Sequence, residues 1–490
     1  MDRSRRPHGP AILLLGLLVA GLAIGPGTAT ATHGGPHLLD PDLQVRTVTT
    51  GLVTPATFAF LDPNQMLVTE KNTGRVARIV NGALAGYALD LAVNFGSERG
   101  LLGIEVHPGF PAQPFVYLYW TESTTGADTN NLTAVDLLGN RVDRFRWDSA
   151  SSTLAFDRNI VRIRARQNDA GQPERGNHDG GVLEFGADGK LYIIIGDLGR
   201  RGWMQNLPCG PTPTCPGPTV PDDQYGGPEP DDAHMSGVIL RLNDDGGTPS
   251  DNPFAGVNVA SSAEANANIH KIYAYGVRNS FGMALDPYSG AIWEQENGDD
   301  TFSELNRVEP GMNSGWIQIM GPSVRVPEYR QIETTEFGGA LQQIRWPPTN
   351  IAMTEEEALS RLLQLPGSRF SDPEFSWRYE VAPGGIGFVK GRGLGPQYEG
   401  DLFTGGATEN LRAGHLFHFN ITGNRRKIAV DDPALEDRVA DNFAKYGFDE
   451  SESLLIGTDF GAVTDIETGP NGNLWLVSIT RGSIYEISRR

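Results

Sequence analysis

Residues 183–197, LEFGADGKLYIIIGD, read as a strand, a tight turn at Gly186-Ala187-Asp188-Gly189 and a second strand. The turn residues tolerate positive φ, and the apolar runs on either side favour extended backbone. The same pattern recurs along the chain as FAFLDPNQMLVTE (58–70), IEVHPGFPAQPFVYLYW (104–120), MALDPYSGAIWEQENG (283–298), GLGPQYEGDLFTGG (393–406) and IETGPNGNLWLVS (466–478). Most copies are followed by a third short strand, as in GRVARIV (74–80), NRVDRFRW (140–147), SGVILRLN (236–243), GHLFHFN (414–420) and GSIYEI (482–487). Such repetition predicts an all-β, six-bladed β-propeller of four-stranded antiparallel blades over residues 40–490, with LQVRTVTT (43–50) completing the last blade. A tandem of β-sandwiches would also give serial hairpins. The propeller is preferred because the long gaps carry insertion-like sequence rather than linkers. Two insertions stand out, at about 200–235 and 321–376. In the second, Thr354 and Glu357 form a capping box ahead of a short amphipathic helix, TEEEALSRLLQL (354–365).

Composition narrows the classes of function. With 61 glycines and 33 prolines among 490 residues, turns outnumber long helices. Sixty acidic residues against forty basic ones give a net charge of −20, which argues against a nucleic-acid partner and leaves carboxylates for calcium. The N-terminus has the three-part layout of a secretory signal: Arg3, Arg5 and Arg6, then a mostly apolar run from Ala11 to Gly25, then Ala29-Thr30-Ala31. That run is shorter than the ~20 residues a membrane span needs, and no later segment qualifies. The expectation is a signal peptide over 1–31, cleavage after Ala31 and a periplasmic or extracellular protein. Arg5-Arg6 hints at twin-arginine export, although Pro7-His8-Gly9 matches that signal poorly. Cys209 and Cys215, in LPCGPTPTCPGP (207–218), are most simply a local disulfide in an oxidising compartment.

Five segments carry polar residues that a folded core does not ask for. They are GSERGLLGIEVHPGF (96–110), GNHDGGVLEFGADGKLYIIIGDLGRRG (176–202), YGVRNSFGMALDP (275–287), ENGDDTFSELN (296–306) and VAPGGIGFVKGRG (381–393). Taken singly each has a bland reading, since His178 beside Gly-Gly suits a turn and Gly-Asp-Asp is a common one. Taken together they say more. The two strands of a hairpin start and end at one edge of the sheet, so His178 before the first strand and Asp197 after the second can meet. A carboxylate beside an imidazole fixes its tautomer and raises its basicity, as general-base catalysis requires.

NHDGG (177–181), GADGKLYIIIGD (186–197), GVILRLNDDG (237–246), YGVRNSFGMALDP, ENGDDTFSELN and VAPGGIGFVKG (381–391) resemble, in order and spacing, the glucose/sorbosone dehydrogenase family. That family comprises soluble glucose dehydrogenase dependent on pyrroloquinoline quinone (PQQ) and the aldose sugar dehydrogenases. The likeness runs from about residue 50 to the C-terminus and implies a six-bladed propeller, in agreement with the repeat. It implies that His178 takes the proton from a sugar's C1 hydroxyl as hydride leaves for PQQ, and that Asp197 orients it. Arg278 and Asn279 match the pair beside a quinone carbonyl, where a cation stabilises developing negative charge. Lys390 matches a partner of the PQQ carboxylates, with Arg412 as a second. The backbone carbonyls of Gly298 and Asp299 match calcium ligands, and Glu304 an acidic position of the same loop. Three positions depart from glucose dehydrogenase. Glu98 replaces a glutamine near PQQ, Asn177 replaces an aspartate before the base, and Asp299 replaces a proline, its side chain adding an oxygen.

The expected activity is therefore PQQ- and calcium-dependent oxidation of an aldose or related sugar to its lactone. The chain has no CxxCH haem motif, so a separate electron acceptor is implied. Two other readings stay open: a calcium-dependent lactonase-type hydrolase, and a non-enzymatic propeller that binds a partner or glycan.

Overall fold

The 183–197 hairpin forms as strands Leu183–Phe185 and Leu191–Ile195. Its turn is closed by Gly189 N–H to the Gly186 carbonyl (2.9 Å) and Lys190 N–H to Asp188 Oδ1 (3.0 Å), with Gly189 at φ +70°. This is a computed structural model, which describes residues 34–166, 174–199, 203–206, 234–337, 348–409, 411 and 413–490.

Within those residues the strands form six sheets, each built on four antiparallel strands. Blade 1 holds Pro55–Asp62, Gln65–Glu70, Arg75–Val80 and Ala83–Asp90; blade 2 holds Leu101–Val106, Phe115–Thr121, Asn140–Asp148 and Thr153–Ile163. Blade 3 adds Val238–Leu242 and Ile272–Tyr275 to the opening hairpin; blade 4 holds Gly282–Leu285, Ile292–Glu296, Ser303–Val308 and Phe375–Trp377. Blade 5 holds Pro383–Phe388, Leu402–Gly406, His415–Phe419 and Leu455–Thr458; blade 6 holds Val463–Thr468, Leu474–Ser478 and Ser483–Arg489. The N-terminal strand Leu43–Thr49 pairs antiparallel with Ser483–Arg489 and closes blade 6, so both chain ends secure the ring. Short extra strands lengthen three sheets: Met312–Asn313 and Arg369–Phe370 on blade 3, Val439–Ala440 on blade 4 and His37–Leu38 on blade 5.

The apolar runs are continuous because each blade is covered on both faces. In 191–195, Leu191, Ile193 and Ile195 face blade 2 and meet Tyr117, Tyr119 and Val142. Tyr192 and Ile194 face blade 4 and meet Met283, Ile292 and Val308. Corresponding apolar layers join blades 1 and 2, 4 and 5, 5 and 6, and finally 6 and 1, where Trp475 and Val477 pack on Phe58 and Val68. Each fully buried aliphatic side chain in such a layer contributes roughly 1.5–3 kcal/mol. The first strands of the blades approach closely around the central channel. A Cβ on Gly103 would lie 2.0 Å from the Gly181 carbonyl oxygen, and one on Gly384 would lie 2.1 Å from that of Val463.

Within the second insertion, helices Val326–Thr335 and Glu355–Ser360 pack with Phe302, Trp316 and Ile317 as a separate small core. Thr354 caps the second helix through Glu357 N–H (3.2 Å). Glu357 reaches back to Met353 N–H (2.7 Å), one residue beyond the position a capping box uses. The helix ends at Ser360, short of the 354–365 stretch expected. No helix among the described residues is long and apolar enough to cross a membrane.

Candidate active site

A cavity opens on the propeller axis where the first strands begin, and every blade contributes to its wall: Thr57, Leu102, Val182, Phe281, Pro383 and Val463. Polar groups stand at its edge because the loops entering these strands carry them. His178 stands in the loop entering Leu183–Phe185. It is buried, with φ +61°, a left-handed backbone conformation that costs on the order of 1 kcal/mol in a non-glycine residue. Its N–H is held by Glu98 Oε2 at 2.5 Å.

The hairpin brings His178 and Asp197 together as its geometry requires. Nδ1 of His178 lies 2.5 Å from Asp197 Oδ1, and that oxygen also accepts Gly199 N–H at 2.8 Å. The other oxygen, Oδ2, accepts the indole N–H of Trp316 at 2.8 Å. With both oxygens engaged by donors, the carboxylate is fixed and draws the imidazole proton to Nδ1. The lone pair then sits on Nε2, which bonds no described residue. This ring can accept a proton, and a buried counter-charge stands ready for the imidazolium that results.

Arg278 and Asn279 arrive from the loop before Gly282–Leu285. The Arg278 N–H donates to Glu296 Oε1. Its guanidinium donates from Nη1 to the carbonyls of Asn297 (2.8 Å) and Gly298 (2.6 Å), and from Nη2 to Asp299 Oδ1 (2.8 Å). It lies over the Trp316 ring at 5.2 Å, so one tryptophan braces both the Asp197 carboxylate and the Arg278 cation. Burial works against the guanidinium charge, but Asp299, Asp197, Glu380 and Glu333 together hold its pKa above the ordinary value. Asn279 is buried with its Oδ1 unpartnered.

The structure adds residues the sequence reading passed over. Lys71, just after strand Gln65–Glu70, lines the same cavity as Glu98 and donates to the Ser97 carbonyl (2.9 Å) and Asn72 Oδ1 (3.2 Å). Burial lowers its pKa to about 7, against the pull of Glu98 and Asp179; burial likewise pushes the Glu98 carboxyl up. Asp299, Asp300 and Glu333 place carboxylate oxygens within 4.8 Å of one another. Glu333 Oε1 accepts the N–H groups of Asp300 (3.0 Å) and Thr301 (3.2 Å), while Oε2 is unpartnered. Lys445 donates to Asp300 Oδ1 and to the Asp299 carbonyl (3.0 Å). Trp316 follows Asn313-Ser314-Gly315, a turn that marks a loop but no function. Glu333 and Lys445 have no local signal, being brought in by insertion and loop.

Other expectations are corrected. Lys390 is exposed beyond the far end of strand Pro383–Phe388, whose first residue lines the cavity; seven residues of extended chain put it about 20 Å away. Glu304 lies inside strand Ser303–Val308, a regular blade strand hidden in the segment read as a site loop. It accepts Gly321 N–H and Asn306 Nδ2 (3.0 Å), and burial raises its pKa to about 7; it is not among the three clustered carboxylates. Gly298 and Asp299 are at the site, but their carbonyls each accept a hydrogen bond from a cation, Arg278 and Lys445. Arg412, Cys209 and Cys215 lie outside the described residues.

Residues 52–336 match the Glucose / Sorbosone dehydrogenase family. The chain belongs to this family. Quinoprotein glucose dehydrogenase B of Acinetobacter calcoaceticus is similar to this chain, 28% identical over 267 residues, 53% of this chain and 49% of that one. The match thus spans about half of that relative. Aldose sugar dehydrogenase YliI of Escherichia coli is 26% identical over 396 residues, 80% of this chain and 78% of that one. The PQQ-bound aldose sugar dehydrogenase of Streptomyces coelicolor superposes with a TM-score of 0.56 at 24% identity, covering 91% of this chain and 98% of that one. At that identity the superposition shows the family's propeller fold.

Proposed function

We propose that the protein is a PQQ-dependent dehydrogenase that oxidises an aldose or related sugar to its lactone, with His178 as general base. The observation that carries this reading is the His178–Asp197 pair, braced by Trp316, beside the Arg278 guanidinium. The site suits an anionic, planar quinone: apolar walls at the channel mouth, the Lys71 amine on the cavity wall, and the Arg278 guanidinium, which bonds the carbonyl of the wall residue Asn297. When bound, PQQ supplies a two-electron acceptor for hydride.

The chain's own groups do the rest. Nε2 of His178 removes the C1 hydroxyl proton while the C1–H bond gives up its hydrogen and electron pair, leaving a C1=O bond. The proton stays on His178, and Asp197 stabilises the imidazolium across their hydrogen bond. Arg278, fixed by four hydrogen bonds from its backbone and guanidinium, presents a pre-positioned positive charge where negative charge builds up. The apolar wall limits water at the reacting centre.

Calcium fits less well than the sequence implies. The two carbonyls expected to bind it already accept a hydrogen bond each from Arg278 and Lys445, whose charges oppose a divalent ion there. Export, motivated by Arg3 to Ala31, and transfer of electrons to a separate acceptor belong to the same proposal. The test is titration of the purified chain with PQQ, followed by turnover of an aldose panel with an artificial acceptor. Saturable binding and PQQ-dependent lactone formation are expected. Absence of both, or lactone hydrolysis without PQQ, would overturn the reading.

A further inference from the structure

Both carbonyls that the family likeness gives to calcium are engaged by built-in cations. Gly298 O accepts from Arg278 Nη1 at 2.6 Å, and Asp299 O accepts from Lys445 Nζ at 3.0 Å. Each carbonyl keeps a second lone pair, but a divalent ion bound there would sit against the charges of both donors.

Lys445 does not reach this point by chance of a long side chain. Its loop is organised by Asn442, whose amide accepts Tyr379 N–H (2.8 Å) and donates to the carbonyls of Tyr379 (3.2 Å), Ala444 (3.1 Å) and Gly447 (3.1 Å). Tyr446 N–H donates to the Glu380 carbonyl (2.7 Å), and Glu380 N–H donates to the Asp300 carbonyl (3.1 Å), which ties the loop to the acidic turn. Nζ lies over the Phe337 ring, 5.0 Å from its centre, and only 15% of the side chain is exposed. Burial of an ammonium is tolerated when it is paired. Here it is paired with Asp300, and Asp299 and Glu333 lie beside that carboxylate. An ammonium has three donors. Two are used by Asp299 O and Asp300 Oδ1, and the third has no partner among the described residues.

We infer that Lys445 is a tethered cation standing in for calcium, so that this chain binds the anionic quinone without a divalent metal. The inference rests on the cofactor reading above. A tethered ammonium is present at every calcium concentration, and its spare donor is available to a carboxylate or quinone oxygen. Asp300 and the loop around Asn442 are what keep it in place.

The test is PQQ binding by the metal-stripped full chain, followed by tryptophan fluorescence quenching, in excess chelator and again in excess calcium. The expected result is affinities within about threefold of each other. Lys445→Met should weaken binding in chelator by at least about tenfold, the scale of one lost charge-assisted contact, and calcium should restore part of it. Lys445→Arg, which keeps the charge, should bind in chelator nearly as the parent does. Binding by the parent that collapses in chelator would overturn this inference and leave the cofactor reading standing. Metal-free binding by Lys445→Met equal to the parent's would overturn the role of Lys445. Absence of binding in both solutions would overturn the cofactor reading itself. The parent titration needs no variant, so a Lys445→Met protein that fails to fold leaves the decision intact.

Discussion

Asp197→Asn removes one charge and keeps the shape. The imidazolium formed at His178 has Nδ1 2.5 Å from Asp197 Oδ1. Charge centres about 4 Å apart at an effective dielectric of about 20 interact by roughly 4 kcal/mol. Withdrawing that stabilisation slows the chemical step about a thousandfold. The amide must also choose an orientation. Oδ1 receives two donors, from His178 and Gly199, and Oδ2 receives the Trp316 indole N–H. Placing the amide oxygen at Oδ1 keeps two bonds and sets the NH2 against Trp316. The reverse keeps one bond and forces Nδ1 to accept, which moves the imidazole proton to Nε2 and removes the base. Each orientation thus makes two hydrogen bonds and one donor–donor contact, and both leave the imidazolium without its counter-charge. The expected outcome is a kcat about a thousandfold lower, with KM and PQQ affinity within about threefold of the parent. The assay is steady-state aldose oxidation by the reconstituted variant alongside a PQQ titration. A kcat loss under about tenfold, with PQQ bound normally, would refute the assignment of Asp197 as the counter-charge of the base.

Three further outcomes follow from the same geometry. Glu98→Gln keeps an acceptor for His178 N–H and removes an anion beside the cofactor space, so PQQ should bind about tenfold tighter with kcat little changed, as read by fluorescence titration. Trp316→Phe keeps a ring under Arg278 but frees Asp197 Oδ2, so steady-state kcat should fall about tenfold with PQQ affinity little changed. Glu105, Glu184, Asp465 and Glu467 stand on the first strands of blades 2, 3 and 6; burial raises all four carboxyls, Asp465 to about 7, and repulsion from neighbouring carboxylates adds to it at the three glutamates. Acids whose folded pKa is raised give stability that is present below the unfolded range and lost as pH rises through the folded value. Thermal melts should therefore show Tm falling from about pH 4 to pH 8, with Glu467→Gln raising Tm by about 1–2 °C at pH 8 and little at pH 4.

The propeller and half of the site were legible in the sequence for one physical reason: both are local. Each hairpin carries its own turn chemistry, and His178 and Asp197 belong to a single hairpin, so two-strand geometry brings them together. Arg278 and Asn279 were legible because they occupy the equivalent loop of the next blade. Lys390 misled because seven residues of extended strand carry it to the opposite face of the ring. Glu304 misled because its neighbours Asp299, Asp300 and Thr301 read as a loop, whereas Ser303–Val308 is paired on both sides by blade strands. Trp316, Glu333 and Lys445 reach the site through tertiary packing of the second insertion and of the loop near Asn442, and no local pattern encodes that meeting.

The central claim is that His178 takes the proton as the sugar is oxidised, and single-turnover mixing tests it most directly. The PQQ-loaded parent and its His178→Gln variant are each mixed with an aldose without electron acceptor, and the cofactor's absorbance is followed. Both proteins should bind PQQ alike, the parent should bleach with one lactone formed per cofactor, and His178→Gln should bleach at least about a thousandfold more slowly. Bleaching of the variant at the parent's rate, or PQQ-loaded parent that no aldose bleaches, would contradict it.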